Sequence, residues 1–571
     1  MKTFVLSLAL AAVCLAADDS AQWVERTLAQ MPLARKVAQI VFVDVSGTYL
    51  PDDDPRLAGW MKLVRDYGVG GVVIYGGSPR DAAALLNKLQ RASTLPLLAA
   101  SDFEGGPGQQ FAGATEFPGN MAFAAIGSEE LVYRAAKAGA TEGRAMGIHL
   151  TYSPVVDLST QPENPAESVR TFGGDVNLLG KLVASYIRGY MDHGMLATAK
   201  HFPGRGSVIR YAPAPAFYTV GKDPAAIEKE DFAAFRKAID AGVPFVMTEH
   251  VILPGMAQGS DRPASVERKL ATGWLRERLG FKGILTTDDL WYDHMVDRFG
   301  PVRVGVEALL AGHDLLLKPK DPVAMIEGVI RAVRAGEVPE AHIDQAVRKL
   351  LLWKARLNLH NQRLVDESKV AGSVGTTTHS ALAQEVADRS VTALKNDGVF
   401  PLPAEARSRI LNLNIQKLEN DPSPDALTAK LQAAFASLSS VTLRPGSDPA
   451  LHASIRKQAE ASSLIVLSLF VQRDKMGEAT PLRESDLRLI RELCAAKPGR
   501  VIAMAYGNPH LIRKLGDVPA FLVGYGERSW FGNQPIYFDS FVRVLKGDLK
   551  PEGKLPVMVS TRYPIGSGVR W

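Results

Sequence analysis

Asp288-Asp289 ends the apolar segment Gly283-Ile284-Leu285-Thr286-Thr287, and Lys200-His201 ends another that begins at Met195. A carboxylate delivered at the tip of a buried strand can attack an electrophilic carbon or take a proton. A Lys-His pair at a strand end sets hydrogen-bond donors against substrate hydroxyls, and the Pro and Gly of Phe202-Pro203-Gly204-Arg205-Gly206 then turn the chain sharply. Asp102, Asp157 and Glu249-His250 close three further runs. Each feature has a plainer use. Asp288 suits the N-cap of a following helix, Lys200-His201 a buried polar pair, and strand-end charges such as Asp102 and Arg170 often simply pair. Glu249-His250 and Asp293-His294 lack ligand spacing on a shared helix face and a third ligand, so no metal and no cofactor are expected.

Positioning these residues requires a repeated scaffold. Short apolar runs at 37–45, 71–75, 95–102, 148–157, 195–201, 243–250, 283–288 and 314–318 alternate with stretches of helical spacing such as 79–92, 129–146 and 178–193. Eight β-then-α units predict a (β/α)₈ TIM-like barrel in an α/β chain. In a barrel the C-terminal strand ends converge on one face, and that is where the polar residues above fall. A helix over 380–394 then leads to strands expected at 410–415, 464–471, 501–506 and 521–525, a smaller layered α/β sandwich with a mainly parallel sheet. The Gly- and Pro-rich tail from 551 is expected to fold back on the body. The divisions are a leader at 1–17, a barrel at 18–360, a linker and connecting helix at 361–395, and the sandwich at 396–571.

Composition sets outer bounds. With 571 residues, 46% apolar and 22% charged, the chain is globular rather than disordered. A net charge of +5, with Lys and Arg scattered, argues against a nucleic-acid partner. Lys2, the apolar run 4–12 and Ala16-Ala17 read as a secretory signal, so the expected location is periplasmic or secreted. No later stretch is long and apolar enough for a membrane span. Two cysteines, Cys14 and Cys494, build neither a disulfide framework nor a Cys-based zinc site.

These segments together resemble glycoside hydrolase family 3, and within it the two-domain bacterial β-N-acetylhexosaminidase branch. The resemblance rests on Asp102-Phe103-Glu104-Gly105-Gly106, Ser153-Pro154-Val155-Val156-Asp157, Ser168-Val169-Arg170-Thr171-Phe172-Gly173, Lys200 to Gly206, Thr248-Glu249-His250-Val251, Arg262-Pro263-Ala264-Ser265 and Thr287-Asp288-Asp289. In the second domain, Ala387-Asp388-Arg389-Ser390, Gly398-Val399-Phe400-Pro401-Leu402 and Gly553-Lys554-Leu555-Pro556-Val557 continue it in the right order. The resemblance implies an exo-acting retaining β-glycosidase without cofactor, acting on a small β-linked carbohydrate. Asp288 would be the nucleophile, with Asp102, Arg170, Lys200 and His201 gripping sugar hydroxyls.

One part of the pattern is missing. The branch usually carries a second His where Arg205 stands, followed by a loop with an Asp-x-His acid/base. From Phe202 to Lys222 this chain has no His, Asp or Glu. General acid/base assistance is typically worth about 10²–10⁴ in rate, so its source matters. Glu478 or Glu484 of the second domain is one expectation, as in the β-glucosidase and β-xylosidase types. A substrate with a good leaving group, a phosphate acceptor, and a catalytically impaired carbohydrate-binding homologue are the others.

Overall fold

The computed structural model describes residues 20–161, 168–208, 217–417, 419–448, 450–471, 482–526 and 536–571. The expected leader at 1–17 lies outside the described residues.

Among the described residues, eight short parallel strands form the first domain. They are β1 (Val41–Ser46), β2 (Gly71–Tyr75), β3 (Leu98–Ser101), β4 (Leu150–Thr151), β5 (Thr198–Phe202), β6 (Phe245–Thr248), β7 (Ile284–Thr287) and β8 (Leu316–Leu317). They pair in the orders β4-β3-β2-β1-β8 and β5-β6-β7. Single parallel bridges join the two sheets, Leu150 to Leu196 and Val155 to Lys200 at one seam and Thr286 to Leu315 at the other, so the sheet closes as the repeat predicts. The strands are covered on both faces, which is why they read as unbroken apolar runs. Val72, Val73, Ala99, Phe245, Val246, Ile284 and Leu285 are all fully buried.

The outer helices follow the expected periods closely. Pro79–Ala92 is capped by Ser78, whose hydroxyl accepts from the Asp81 N–H, and Ser128 caps Glu129–Ala145 in the same way through the Leu131 N–H. Asp175 starts Val176–Met191 by accepting from the N–H groups of Asn177 and Leu178. The apolar run 37–45 proves composite: Leu33–Gln39 is helical and the strand begins only at Val41.

The second domain is a six-stranded sheet ordered β11-β10-β12-β13-β14-β9. Its strands are β9 (Thr392–Asn396), β10 (Ile410–Gln416), β11 (Leu438–Leu443), β12 (Leu464–Phe470), β13 (Val501–Tyr506) and β14 (Ala520–Gly524). The four expected strands are its parallel centre. The two additional ones are its edges. β9 runs antiparallel to β14 and begins at Thr392, so the sheet starts inside the segment read as linker and connecting helix. The helix there, Thr377–Ser390, stops before the expected 394 because Val391 turns extended. β11 is half exposed and carries Ser and Thr in place of an apolar run.

The domains are tied together close to the barrel mouth. The Gly119 N–H donates to the Tyr525 carbonyl at 2.9 Å, and the tail folds back as expected, with Lys554 N–H on the Ala125 carbonyl and Gly174 N–H on the Pro556 carbonyl. Buried Glu142 collects the Thr115 N–H, the Thr115 hydroxyl, the Gly375 N–H and His379 Nδ1, anchoring the connecting segment to the barrel. Among the described residues no helix is long and apolar enough to cross a membrane.

Candidate active site

On one flank of the mouth, the ends of β2, β3 and β5 build a compensated network. Lys200 Nζ lies 2.6 Å from Asp102 Oδ1 and 2.7 Å from Glu104 Oε1. Arg170 grips Glu104 with two parallel bonds of 2.7 Å, a bidentate geometry that fixes both planes. Tyr75 donates its hydroxyl to Asp102 at 2.7 Å. Burial works against ionising Glu104, but Arg170 and Lys200 outweigh it and hold its carboxyl far below the usual range. Burial likewise opposes the charge on Lys200, and Asp102 and Glu104 overcome it, so the ammonium is retained. Arg170 is itself placed by Asn120, which donates to its carbonyl at 2.8 Å.

At the centre, His201 Nδ1 lies 2.7 Å from Asp157, which is fully buried, and the His201 N–H meets the same carboxylate at 3.2 Å. The other oxygen of Asp157 accepts the Arg205 N–H at 2.8 Å. One aspartate thus orients the His201 ring and the turn that follows it.

The opposite flank is built by β6 and β7. Their register pairs Thr248 with Thr287, so the next residues, Glu249 and Asp288, stand side by side at the strand tips. The Asp288 N–H donates to the Thr248 carbonyl at 2.9 Å. One side-chain donor or acceptor atom from each of His201, Glu249 and Asp288 lies within 4.8 Å of the others. Glu249 is buried and paired with the Arg205 guanidinium. Asp288 is partly buried and, among the described residues, has no ion-pair partner; its Oδ1 accepts only the Asp289 N–H, at 2.7 Å. Desolvation, then the negative charges of Glu249 and Asp289, push its carboxyl up to about 6.

Adjacent Asp289 has a different fate. Its carboxylate accepts from Lys318 at 2.8 Å and from the Trp291 indole N–H at 3.0 Å. Trp291 is 43% exposed and packs on Tyr292 at 4.7 Å, an aromatic platform beside the strand tip. Asp44 is exposed although it lies within β1, so the mouth is open to solvent on that side.

The structure therefore gathers Asp102, Arg170, Lys200, His201 and Asp288 around one opening. Glu484 is elsewhere in kind: it is the exposed first residue of helix Glu484–Ala496 and pairs with Arg491 at 2.9 Å. Glu478 lies outside the described residues. The sequence reading missed Glu104 as the clamp between Arg170 and Lys200, although it stands in the Asp-x-Glu-Gly-Gly motif. It placed Glu249 at a strand end on the converging face, but the only individual role it weighed for that residue was metal ligation. His201, Glu249 and Asp288 have the closeness a metal would need, but Arg205 already supplies Glu249 with a cation.

Comparison with known proteins agrees with this geometry. Residues 32–352 match the glycosyl hydrolase family 3 N terminal domain. A beta-N-acetylglucosaminidase/beta-glucosidase of Cellulomonas fimi is 34% identical over 420 residues, covering 71% of this chain and 72% of that protein. A beta-hexosaminidase of Vibrio cholerae is 33% identical over 341 residues, covering 57% of this chain and 98% of that one. Among solved structures, a glycoside hydrolase family 3 beta-N-acetylglucosaminidase from a Paenibacillus species superimposes with a TM-score of 0.78 at 28% identity, covering 93% of this chain and 99% of that one. The barrel with its strand-tip acids and the sheet domain behind it thus belong to glycosyl hydrolase family 3, and the chain is a glycoside hydrolase.

Proposed function

We propose that the protein is an exported, exo-acting, retaining β-glycosidase whose preferred substrates carry a terminal β-linked N-acetylglucosamine. The observation that carries the mechanism is Asp288: a partly exposed carboxylate at the tip of β7, without an ion-pair partner among the described residues, in a mouth lined by donors. Its oxygen bonds to the anomeric carbon as the bond to the leaving oxygen breaks, giving a glycosyl-enzyme that water then releases. Asp102, Arg170, Lys200 and His201 grip the sugar hydroxyls. Lys200 paired with Asp102, Arg170 with Glu104 and His201 with Asp157 are held in place before substrate arrives, which serves the transition state without reorganisation. The names of the Cellulomonas and Paenibacillus relatives support the sugar, and the Cellulomonas relative's double name keeps β-glucosides as the second substrate class.

The test is a panel of aryl β-glycosides carrying N-acetylglucosamine, glucose and xylose. The N-acetylglucosaminide is expected to be cut fastest. A 2-deoxy-2-fluoroglycoside of the best-cut sugar or its analogue is expected to add one sugar mass at Asp288. Sugar binding without turnover of any member would replace the hydrolase reading with a carbohydrate-binding one. Recovery of the protein from the cytoplasmic fraction would remove the export part alone.

A further inference from the structure

We propose that Glu249 is the proton-transfer group of this site, set by Arg205 to act as the base on the incoming water rather than as an acid on the leaving group. The inference rests on the glycosidase reading above and fills the place left by the absent acid/base loop. Three observations carry it. Glu249 stands next to Asp288 in register on the neighbouring strand, with the two carboxyl groups within 4.8 Å at their closest atoms. Retaining glycosidases separate their two carboxyl groups by roughly 5–5.5 Å, leaving room for one glycosidic oxygen or one water and no more. Second, Glu249 is buried beside Asp288, and its negative charge is one of those that push the Asp288 carboxyl up. Third, its cation is Arg205, from the turn that directly follows β5 and His201. The backbone N–H of Arg205 is pinned by Asp157.

The pairing decides which half of the reaction gains. An adjacent guanidinium favours the ionised carboxylate, the form that accepts a proton. In the first step Asp288 bonds to the anomeric carbon, the bond to the leaving oxygen breaks, and that oxygen departs with its electron pair and takes a proton from solvent. In the second step water bonds to the anomeric carbon, its proton passes to Glu249, and the electron pair of the ester bond returns to Asp288; Glu249 then releases that proton to solvent, replacing the one taken up in the first step. By then Asp288 is a neutral ester, so Glu249 no longer faces a second negative charge from it. The wild-type enzyme should accordingly favour glycosides with acidic leaving groups.

The experiment uses full-length Glu249→Ala and Glu249→Gln with a 2,4-dinitrophenyl β-glycoside of the sugar that wild type cuts. The isosteric Gln covers the case in which Ala fails to fold. Wild-type turnover together with inert Asp288→Ala establishes the underlying reading first, so its failure is distinct from failure of this one. The expected result is a fall of about 10²–10⁴ in kcat with a parallel fall in KM, because glycosyl-enzyme accumulates. Sodium azide should restore turnover of Glu249→Ala and yield the β-glycosyl azide. Arg205→Gln should flatten the dependence of kcat/KM on leaving-group acidity, since Glu249 can then hold a proton. Unchanged KM with no azide product overturns the proposal. Azide rescue of His201→Ala instead would assign proton transfer to the Asp157–His201 pair and also overturn it. A leaving-group dependence that Arg205→Gln leaves as steep overturns the role given to Arg205.

Discussion

The two flanks of the barrel mouth hold similar residues and opposite electrostatics. Around Lys200, two acids, Asp102 and Glu104, meet two permanent cations, Lys200 and Arg170, and every charge is matched. Around Asp288, the acids Glu249, Asp288 and Asp289 meet Arg205 and Lys318, and among the described residues Asp288 has no ion-pair partner. The first arrangement is rigid and chemically quiet. The second keeps one carboxylate poorly solvated and unneutralised, which is the condition for reactivity at carbon. In the proposed mechanism, matched charge holds the sugar and unmatched charge attacks it.

The contrast can be broken most severely at the leftover acid. Asp288→Ala should lower kcat/KM by about 10⁴ or more, measured with an activated aryl glycoside, with the fold intact by circular dichroism. A loss of only a few fold would mean the flank is not reactive.

Breaking the matched flank should cost both folding and activity. Lys200→Met removes one cation and leaves Asp102 and Glu104 less compensated. Its expected cost is about 3–5 kcal/mol in chemical denaturation, together with roughly 10²–10³ in kcat/KM from a lost preorganised donor. Stability unchanged from wild type would show that the network is not a working ion pair.

The pH dependence separates the flanks more finely. In the proposed mechanism Asp288 attacks as the carboxylate, so kcat/KM should rise through a midpoint near 6 and then level off. The groups facing it are His201 and Arg205 from β5 and its turn, Glu249 and His250 from β6, and neighbouring Asp289. Stability runs the other way. A carboxyl whose folded-state value is raised above 3.8 favours the fold while protonated and loses that advantage as pH rises to about 6. Asp288→Asn should therefore be more stable than wild type above pH 6, with the gap closing toward pH 4 in thermal melts. A gap independent of pH would place the charge elsewhere.

The smallest effect is expected outside both flanks. Glu484→Ala, at an exposed helix start, should shift stability by less than about 0.5 kcal/mol and leave turnover of all aryl glycosides as it is. A drop confined to poor leaving groups would bring the second-domain acid back.

Much of this was legible in the residues. The barrel could be read because its strands are buried on both faces, and a fully apolar run needs no partner to be recognised. The edge strands β9 and β11 were not legible in that way. Thr-Ala-Leu-Lys-Asn and Leu-Ser-Ser-Val-Thr-Leu are strands because a neighbour offers a ladder, and their own patterns are weak. Glu104 and Glu249 were visible as acids, but a carboxylate's role depends on which cation reaches it.

What the sequence by itself determined was the repeat, the position of each polar residue at a strand end, and the absence of the usual acid/base loop. Those follow from local hydrophobic pattern and residue identity. Only the tertiary structure decided that Asp289 is neutralised by Lys318 and Glu249 by Arg205 while Asp288, among the described residues, has no such partner. Charge interactions act through space over a few ångströms, and the partners concerned are separated along the chain by tens of residues.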